Sequence, residues 1–243
     1  MTNQKIKLLN IKIRGWTATF RLPFLYSGTG LTSPVPPYST ILGMIGNIAA
    51  KEIYPNDVGR IGYIFQSDGM ATDLERTVRF NLKNNTFQPN TGKSKYGIVN
   101  RQFHVNPRLD LYIENLELAE IFENPQNPTA LGRSQDVCWI ETSKQGDFKG
   151  KSYCVVEAET VEEAAISGTL IPFPQNGASG IIIVLPEWFD NSKTGYTRTL
   201  KKMNRFQAVR YDSNAPKLRA KRSNMFYSII GTNKQIYLHT FSE

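Results

Sequence analysis

The chain opens with an alternation of apolar and polar residues that is typical of a β-strand. Ile6 and Leu8 fall on one face, and Ile11 and Ile13 continue the alternation after a slip of one residue. Because successive side chains of a strand point to opposite faces, the pattern predicts a strand over residues 5–14 with one face turned to a core.

A helix is predicted after a loop rich in glycine and proline. Pro36 and Pro37 block an earlier helical start, and Ser39 is a good N-cap residue. One apolar stripe then recurs at helical spacing, at Ile41, Ile45, Ile48 and Ala49. The sequence therefore predicts a helix that begins at Ser39 and ends before the next proline.

The rest of the chain reads mainly as strands, with one short helix at 116–122. The strand patterns cover residues 60–66, 76–82, 102–113, 136–141, 153–159, 180–185, 206–211 and 225–240. Over residues 1–141 the order is β, α, β, β, α, β, which is that of a ferredoxin-like or RNA-recognition-type unit. We predict an α+β protein with this unit at 1–141 and a smaller β-rich part at 142–243.

One segment between two predicted strands has almost no apolar content. Residues 83–97 are rich in Asn, Pro, Gly, Ser and Lys. This composition is typical either of a disordered loop or of the tip of a projecting hairpin, and the residues alone leave both open.

Charge is concentrated in two tracts. Residues 76–109 contain seven basic residues and no acidic one, and residues 191–222 contain ten basic residues and one acidic residue. The net charge of the whole chain is +8, so the remainder is acidic. Two basic tracts on an otherwise acidic protein indicate a polyanionic partner. The alternative is that both tracts are ordinary solvated loops.

Aromatic residues lie among these cations, as at Phe87, Tyr96, Phe103 and Tyr211. A cationic groove with aromatic faces suits single-stranded nucleic acid, whose bases can stack on the rings. An anionic membrane would instead favour a basic amphipathic helix, and neither tract has that periodicity. The longest apolar run, residues 181–185, is too short to span a bilayer.

Common catalytic and cofactor motifs are missing. Gly92-Lys93-Ser94 has Phe87 where a P-loop needs glycine, and the glycines at 28 and 30 are followed by Ser33 instead of a third glycine. Cys138 and Cys154 have no C-x-x-C partner, so we expect no metal, no other cofactor and a reducing cytoplasm.

One catalytic alternative remains open. Metal-free RNA cleavage needs a base for the 2′-hydroxyl and an acid for the leaving oxygen, and His104 with Tyr96 could supply them. We favour over this the interpretation that His104 is a strand residue that packs or stacks on a base.

Three stretches together resemble a known family. They are Phe20-Arg21-Leu22-Pro23, then the proline pair and helix start of residues 35–46, and then Leu131-Gly132-Arg133-Ser134. In this order they are similar to the CRISPR-associated protein family five of the RAMP superfamily, nearest its type I-B branch. Members of that family hold the 5′ handle of the crRNA in type I Cascade complexes.

The resemblance implies a β-hairpin thumb over about 79–104 that reaches toward the backbone subunit and kinks the guide RNA. It also implies contact with the large subunit and, indirectly, with target DNA. One branch cleaves precursor crRNA with a Tyr, Lys and His set, but here Phe103 stands before His104. We therefore expect a non-catalytic RNA-binding subunit in antiviral defence, with endoribonuclease as the alternative.

The predicted site combines the charge pattern with the resemblance. The residues predicted to bind RNA are Arg21, Tyr38, Ser39, Arg79, Lys93, Lys95, Tyr96, Arg101, His104, Arg108, Arg133 and Ser134. A second basic surface facing RNA or displaced DNA is predicted at Arg198, Lys201, Lys202 and Arg205.

Overall fold

A computed structural model gives the fold. It describes residues 4–22, 28–78, 80–83, 86–89, 96–144, 146–192, 198–221 and 226–241. The strands are β1 (Lys5–Gly15), β2 (Thr17–Ala18), β3 (Thr29–Gly30), β4 (Ile61–Gln66), β5 (Gly69–Val78), β6 (Phe80–Lys83), β7 (Thr86–Pro89), β8 (Tyr96–Val105), β9 (Arg108–Ile113), β10 (Cys138–Ile140), β11 (Cys154–Val161), β12 (Glu163–Ala165), β13 (Thr169–Pro172), β14 (Ile181–Asp190), β15 (Thr199–Val209), β16 (Lys217–Arg219), β17 (Phe226–Ile229) and β18 (Gln235–Tyr237). The helices are α1 (Tyr38–Ala49), α2 (Pro55–Val58) and α3 (Ala119–Glu123), with 3-10 turns at Leu116–Leu118 and Gly146–Phe148.

A seven-stranded sheet forms the centre of the molecule. Its strand order is β18-β17-β11-β1-β9-β4, with β10 paired to the end of β1, and every pairing is antiparallel. β11, β17 and β18 come from the predicted C-terminal part, yet they extend the sheet that β1 begins. The division predicted at 141/142 therefore does not coincide with a break between sheets.

The second large element is a projecting hairpin of β5 and β8. The two strands pair in unbroken register from Gly69 with Val105 to Val78 with Tyr96, and β6 pairs with β7 between them in the chain. The hairpin thus starts at Gly69, ten residues before the predicted start. The strand predicted at 76–82 covers only the last three residues of β5, because Leu74 and its neighbours have no buried face and so show no core-facing alternation.

The predicted strand over 102–113 is two strands. Asn106 has a φ of +48° and is followed by Pro107, and the chain passes there from β8 to β9. Since a positive φ and a proline both interrupt a strand ladder, β8 belongs to the hairpin and β9 to the central sheet.

Helix α1 packs against the central sheet through its apolar stripe. Ile41, Ile45 and Ile48 are fully buried, as the periodicity predicts. The helix begins one residue earlier than predicted, because Pro37 is the N-cap and its carbonyl accepts hydrogen bonds from Thr40 N and Ile41 N. Ser39 therefore lies inside the first turn, and the prediction that it caps the helix is wrong.

Two buried tyrosines fix the start of α1. Tyr63 on β4 donates its hydroxyl proton to Pro36 O at 2.6 Å and accepts a bond from Leu170 N at 3.2 Å. Tyr38 donates to Leu170 O at 2.8 Å. Burial raises the pKa of both phenols, so both stay protonated donors.

The C-terminal part adds two small sheets. β13, β15 and β14 form a three-stranded antiparallel sheet in that order, and β12 pairs with β16. No helix among the described residues is long and apolar enough to cross a membrane.

Replacing Tyr63 with Phe tests the tyrosine network. The variant leaves Leu170 N and Pro36 O buried without this hydroxyl, and each such group costs about 1–3 kcal/mol. We expect urea unfolding to show a loss of about 2–4 kcal/mol. Tyr211→Phe, at a half-exposed tyrosine, is the matched control, and an equal loss in both variants would contradict the network's role.

Candidate nucleic-acid interface

An open groove of about 830 Å³ brings together five segments of the chain. It is lined by Arg21, by Pro37, Ser39 and Thr40 at the start of α1, by Gly132 and Ser134, by Arg198, and by Leu185, Pro186 and Phe189. Three of these segments are the stretches that carry the family resemblance, and Arg198 belongs to the second basic tract. None of the groove residues comes from the first basic tract at 76–109.

The groove meets the positive end of α1. The first backbone N–H groups of a helix have no partner within it, and the helix dipole adds partial positive charge there. Ser39 and Thr40 bring hydroxyl groups to the same wall. A phosphate is the ligand that such an arrangement suits best.

A tight loop positions the opposite wall. Gly132 has a φ of +111°, and a Cβ at this position would lie 2.2 Å from Thr19 O. Only glycine fits so close to the backbone, so the loop lies directly against the chain that follows β2. Ser134 is exposed on this loop and faces the groove.

Arg133 holds the loop together. Its guanidinium donates to both carboxylate oxygens of Asp136, at 3.0 and 2.9 Å, and Thr17 donates to the same carboxylate at 2.7 Å. Burial by itself would raise the pKa of Asp136, but the bonds from Arg133 and Thr17 outweigh it and lower that pKa. Asp136 therefore stays ionised at neutral pH.

The same arginine reaches the projecting hairpin. Glu75 on β5 lies 3.4 Å from Arg133 and also pairs with Arg101 on β8. Arg101 and Arg133, both predicted to bind RNA, thus share a carboxylate that fixes the loop against the hairpin. Their observed contacts position the groove wall.

Two predicted RNA contacts are buried, and the structure corrects both. Tyr38 is 1% exposed and its ring stacks on His239 at 4.1 Å. His104 is 3% exposed, with Nδ1 3.0 Å from Ser67 Oγ and Nε2 2.8 Å from Ser33 O. Burial lowers the pKa of His104, which favours a neutral ring. Both side chains are thus almost wholly withdrawn from the surface.

The proposed catalytic pair is too far apart. Tyr96 and His104 lie eight residues apart on β8, so their Cα atoms are separated by about 26 Å. An acid and a base must both reach one phosphodiester, so these two residues cannot serve as a pair. Of Tyr96 the structure describes the backbone alone, and Arg79, Lys93 and Lys95 lie outside the described residues.

The other predicted cations are on the surface outside the groove. Arg108 pairs with Asp68 at 2.6 Å, and Lys201 pairs with Asp190 at 3.1 Å. Lys202 and Arg205 lie on β15, where Lys202 is half-buried and Arg205 is exposed. Arg198, just before β15, is the member of the second basic set that lines the groove.

The sequence reading missed an exposed aromatic pair. Trp16 is 72% exposed and Trp139 is 44% exposed, and their ring centroids are 5.6 Å apart. Trp139 stands opposite Arg14 in the sheet, on the face away from the α1 core. A tryptophan at a polar-face position of a predicted strand is the signal that could have found it.

Comparison with known proteins identifies relatives of this fold. Residues 8–168 match the family model described as CRISPR-associated protein (Cas_Cas5). A chain of a structure described as a CRISPR RNA-guided surveillance complex superposes with a TM-score of 0.52 at 12% identity, covering 88% of this chain and 91% of that one. A chain from the cryo-EM structure of the Type III-B Cmr-beta bound to cognate target RNA and AMPPnP gives a TM-score of 0.52 at 11% identity, covering 86% of each chain.

At these identities the likeness to solved structures shows a shared fold. A search of curated proteins finds no match to this sequence.

Asp136→Asn tests the ion pair between Arg133 and Asp136 that holds the loop at the groove wall. The variant keeps the shape of the side chain but loses the charge that Arg133 and Thr17 bind, and we expect about 2 kcal/mol less stability at pH 7. Because the folded-state pKa of Asp136 lies below 3.8, its stabilisation is complete above that pH and is lost as the pH falls further. The difference between wild type and variant should therefore shrink below pH 4.

Urea unfolding at pH 7 and at pH 3 measures this effect. Asp147→Asn, at an exposed carboxylate, is the control and should change stability little at either pH. A stability difference between wild type and Asp136→Asn that is the same at both pH values would contradict stabilisation by an ionised Asp136.

Proposed function

The chain belongs to the CRISPR-associated protein family (Cas_Cas5), whose model matches about two thirds of its length, and we propose that it is a non-catalytic RNA-binding subunit of a type I CRISPR interference complex. It holds the 5′ handle of the crRNA. The subtype that its sequence resembles most is I-B, and its place of work is the cytoplasm.

The groove carries this proposal. Arg21 and Arg198 supply charge from opposite ends of the chain, the start of α1 supplies backbone donors, and Ser134 supplies a hydroxyl. These groups suit phosphates and ribose, and the open shape suits a single strand. The 5′ handle therefore runs along the groove, with its phosphates at the start of α1.

The strand order supports the ferredoxin-like interpretation of the body. β4, β9, β1 and β11 are adjacent in this order and antiparallel, with α1 between β1 and β4 in the chain. A βαββαβ unit places its second, third, first and fourth strands in that sequence. We therefore take these four strands as the RAMP core, and the remaining strands as additions.

The hairpin of β5 and β8 serves as the thumb toward the backbone subunit. Leu74 and Ile98 share one of its faces and are 64% and 63% exposed, and Phe87 near the tip is 75% exposed. Apolar side chains along a projecting element favour a protein partner over solvent. The basic residues of the second tract outside the groove then face RNA or displaced DNA.

Burial of His104 supports the non-catalytic form of the proposal. Both ring nitrogens have partners within the fold, and Tyr96 is about 26 Å away along β8. The second candidate, a metal-independent endoribonuclease that processes precursor crRNA, would need a different acid and base.

RNA titration tests the groove. With a labelled single-stranded RNA, we expect Arg198→Gln to weaken binding and to reduce the slope of log affinity against log salt by about 0.7, the value for one lost phosphate contact. Arg219→Gln removes the same charge from β16, outside the groove, and should leave the slope unchanged. Equal effects of the two variants would mean that RNA binding depends on the overall charge of the protein and not on this groove.

Copurification separates the handle-binding function from general RNA binding. Expressed with its operon neighbours, the chain should bring down a short RNA with one defined 5′ end. Arg21→Gln combined with Arg198→Gln should reduce that RNA or make its 5′ end ragged. A stable complex that lacks this subunit but keeps a protected 5′ handle would overturn the proposal.

Incubation with repeat RNA in EDTA distinguishes the two candidate functions. We expect no cleavage by the purified chain, and we expect His104→Ala to lower thermal stability because it removes a buried, hydrogen-bonded ring. Specific cleavage that His104→Ala abolishes, while a folded His104→Gln variant also loses it, would favour the enzyme.

A further inference from the structure

A second groove, of about 730 Å³, has a wall of aromatic rings. Tyr54, Trp188 and Phe241 line it, together with Asp57 and Asp190. It uses none of the residues that line the RNA groove. The two grooves therefore differ in chemistry, since one combines cations with backbone donors and the other combines rings with carboxylates.

The rings are held in place by the core. The centroids of Tyr54 and Trp188 are 6.2 Å apart, and their planes meet at 83°. Phe241 packs edge-on against the buried His239 at 4.9 Å, and His239 stacks on Tyr38. The groove thus has a preformed aromatic wall. Because these side chains are already ordered, less of their conformational entropy is lost when a ligand binds.

The carboxylates of the groove are held by hydrogen bonds. Asp57 accepts a hydrogen bond from Tyr54 N at 2.7 Å, and Asp190 accepts one from Ser192 N at 2.9 Å while pairing with Lys201 at 3.1 Å. The hydrogen bonds from Ser192 and the charge of Lys201 lower the pKa of Asp190 to about 2. A carboxylate has about four acceptor positions, so each still has capacity for an incoming donor.

The surroundings of this groove are acidic. Glu52 accepts a bond from the Tyr54 hydroxyl. Asp57 also borders a neighbouring depression that Glu117 and Glu120 line with Lys51. A nucleic-acid strand would be repelled here, whereas a cation would be attracted.

We propose that this groove binds an arginine or lysine side chain of a protein partner, seated against the rings of Tyr54, Trp188 and Phe241. The negative faces of aromatic rings attract a guanidinium or ammonium group, and tryptophan does so most strongly. Asp57 and Asp190 accept hydrogen bonds from the same cation. The occupant is thus a basic segment of a protein, and RNA is excluded by charge.

The test uses the intact chain and a defined probe. The peptide Gly-Arg-Gly-Arg-Gly is titrated while NMR follows the indole N–H signals of the three tryptophans, with Trp188 assigned from the Trp188→Phe variant. We expect the Trp188 signal to shift and the signals of Trp16 and Trp139 to stay in place. The same peptide with citrulline at both arginine positions keeps the shape without the charge, and should not shift Trp188.

Matched variants separate the ring contribution from the charge contribution. Trp188→Leu keeps an apolar side chain without an aromatic face and should weaken binding about three- to tenfold, and Trp188→Phe should retain part of the affinity. Asp57→Asn and Asp190→Asn keep acceptors for Tyr54 N and Ser192 N but remove the charge, and should each weaken binding by a similar factor. Glu163→Gln, an exposed acid on β12, is the control and should have no effect.

Three results would overturn the proposal. They are equal shifts of Trp188 with the citrulline peptide, unchanged affinity in Trp188→Leu, and a Trp188 shift produced by a single-stranded RNA of eight nucleotides. Groove variants that lose the peptide should keep the RNA affinity of wild type, whereas Arg198→Gln should keep the peptide. Failure of this proposal is therefore distinguishable from failure of the RNA-binding function.

Discussion

The position of the proposed RNA groove depends on one buried hydrogen-bond chain. The Tyr63 hydroxyl joins Pro36 O to Leu170 N, and Tyr38 returns to Leu170 O, so α1, β4 and β13 meet at a fixed point. In a core that excludes water, these backbone groups have a strong preference for a partner. The chain thereby sets where α1 begins, and the start of α1 is one wall of the groove.

Arginine has two separate uses in this protein. Arg133 and Arg101 bind Asp136 and Glu75 inside the fold, and they tie the loop at Gly132 to the projecting hairpin. Arg21 and Arg198 instead line the open groove. A planar guanidinium that binds carboxylates in a fixed geometry is suited to the first role, and its charge to the second. A basic count along the sequence does not separate these roles, because one tract holds Arg101 and the other holds Arg198, while Arg21 and Arg133 lie in neither.

Opposite charges are separated between the two grooves. The proposed RNA groove is lined by Arg21 and Arg198, while the aromatic groove is lined by Asp57 and Asp190. In a protein that binds RNA, the RNA phosphates are attracted to every exposed cation. An acidic surface repels the phosphates and so stays available for contacts with other proteins. The exposed apolar side chains of the hairpin, such as Leu74 and Ile98, would also be available for contacts with other proteins, because they carry no charge that attracts RNA.

The sequence by itself determined the elements that a periodic pattern marks. It predicted β1, the buried stripe Ile41, Ile45 and Ile48 of α1, and the family, because burial of one face leaves a local signature in the order of residues. It did not predict that Tyr38 and His104 are buried, or that Arg133 is paired, because those outcomes depend on partners such as Leu170, Ser33 and Asp136. It missed most of the first strand of the hairpin, which buries neither face. Only the tertiary structure decided which residues meet in each groove, because contacts between distant segments are set by packing and leave no local pattern.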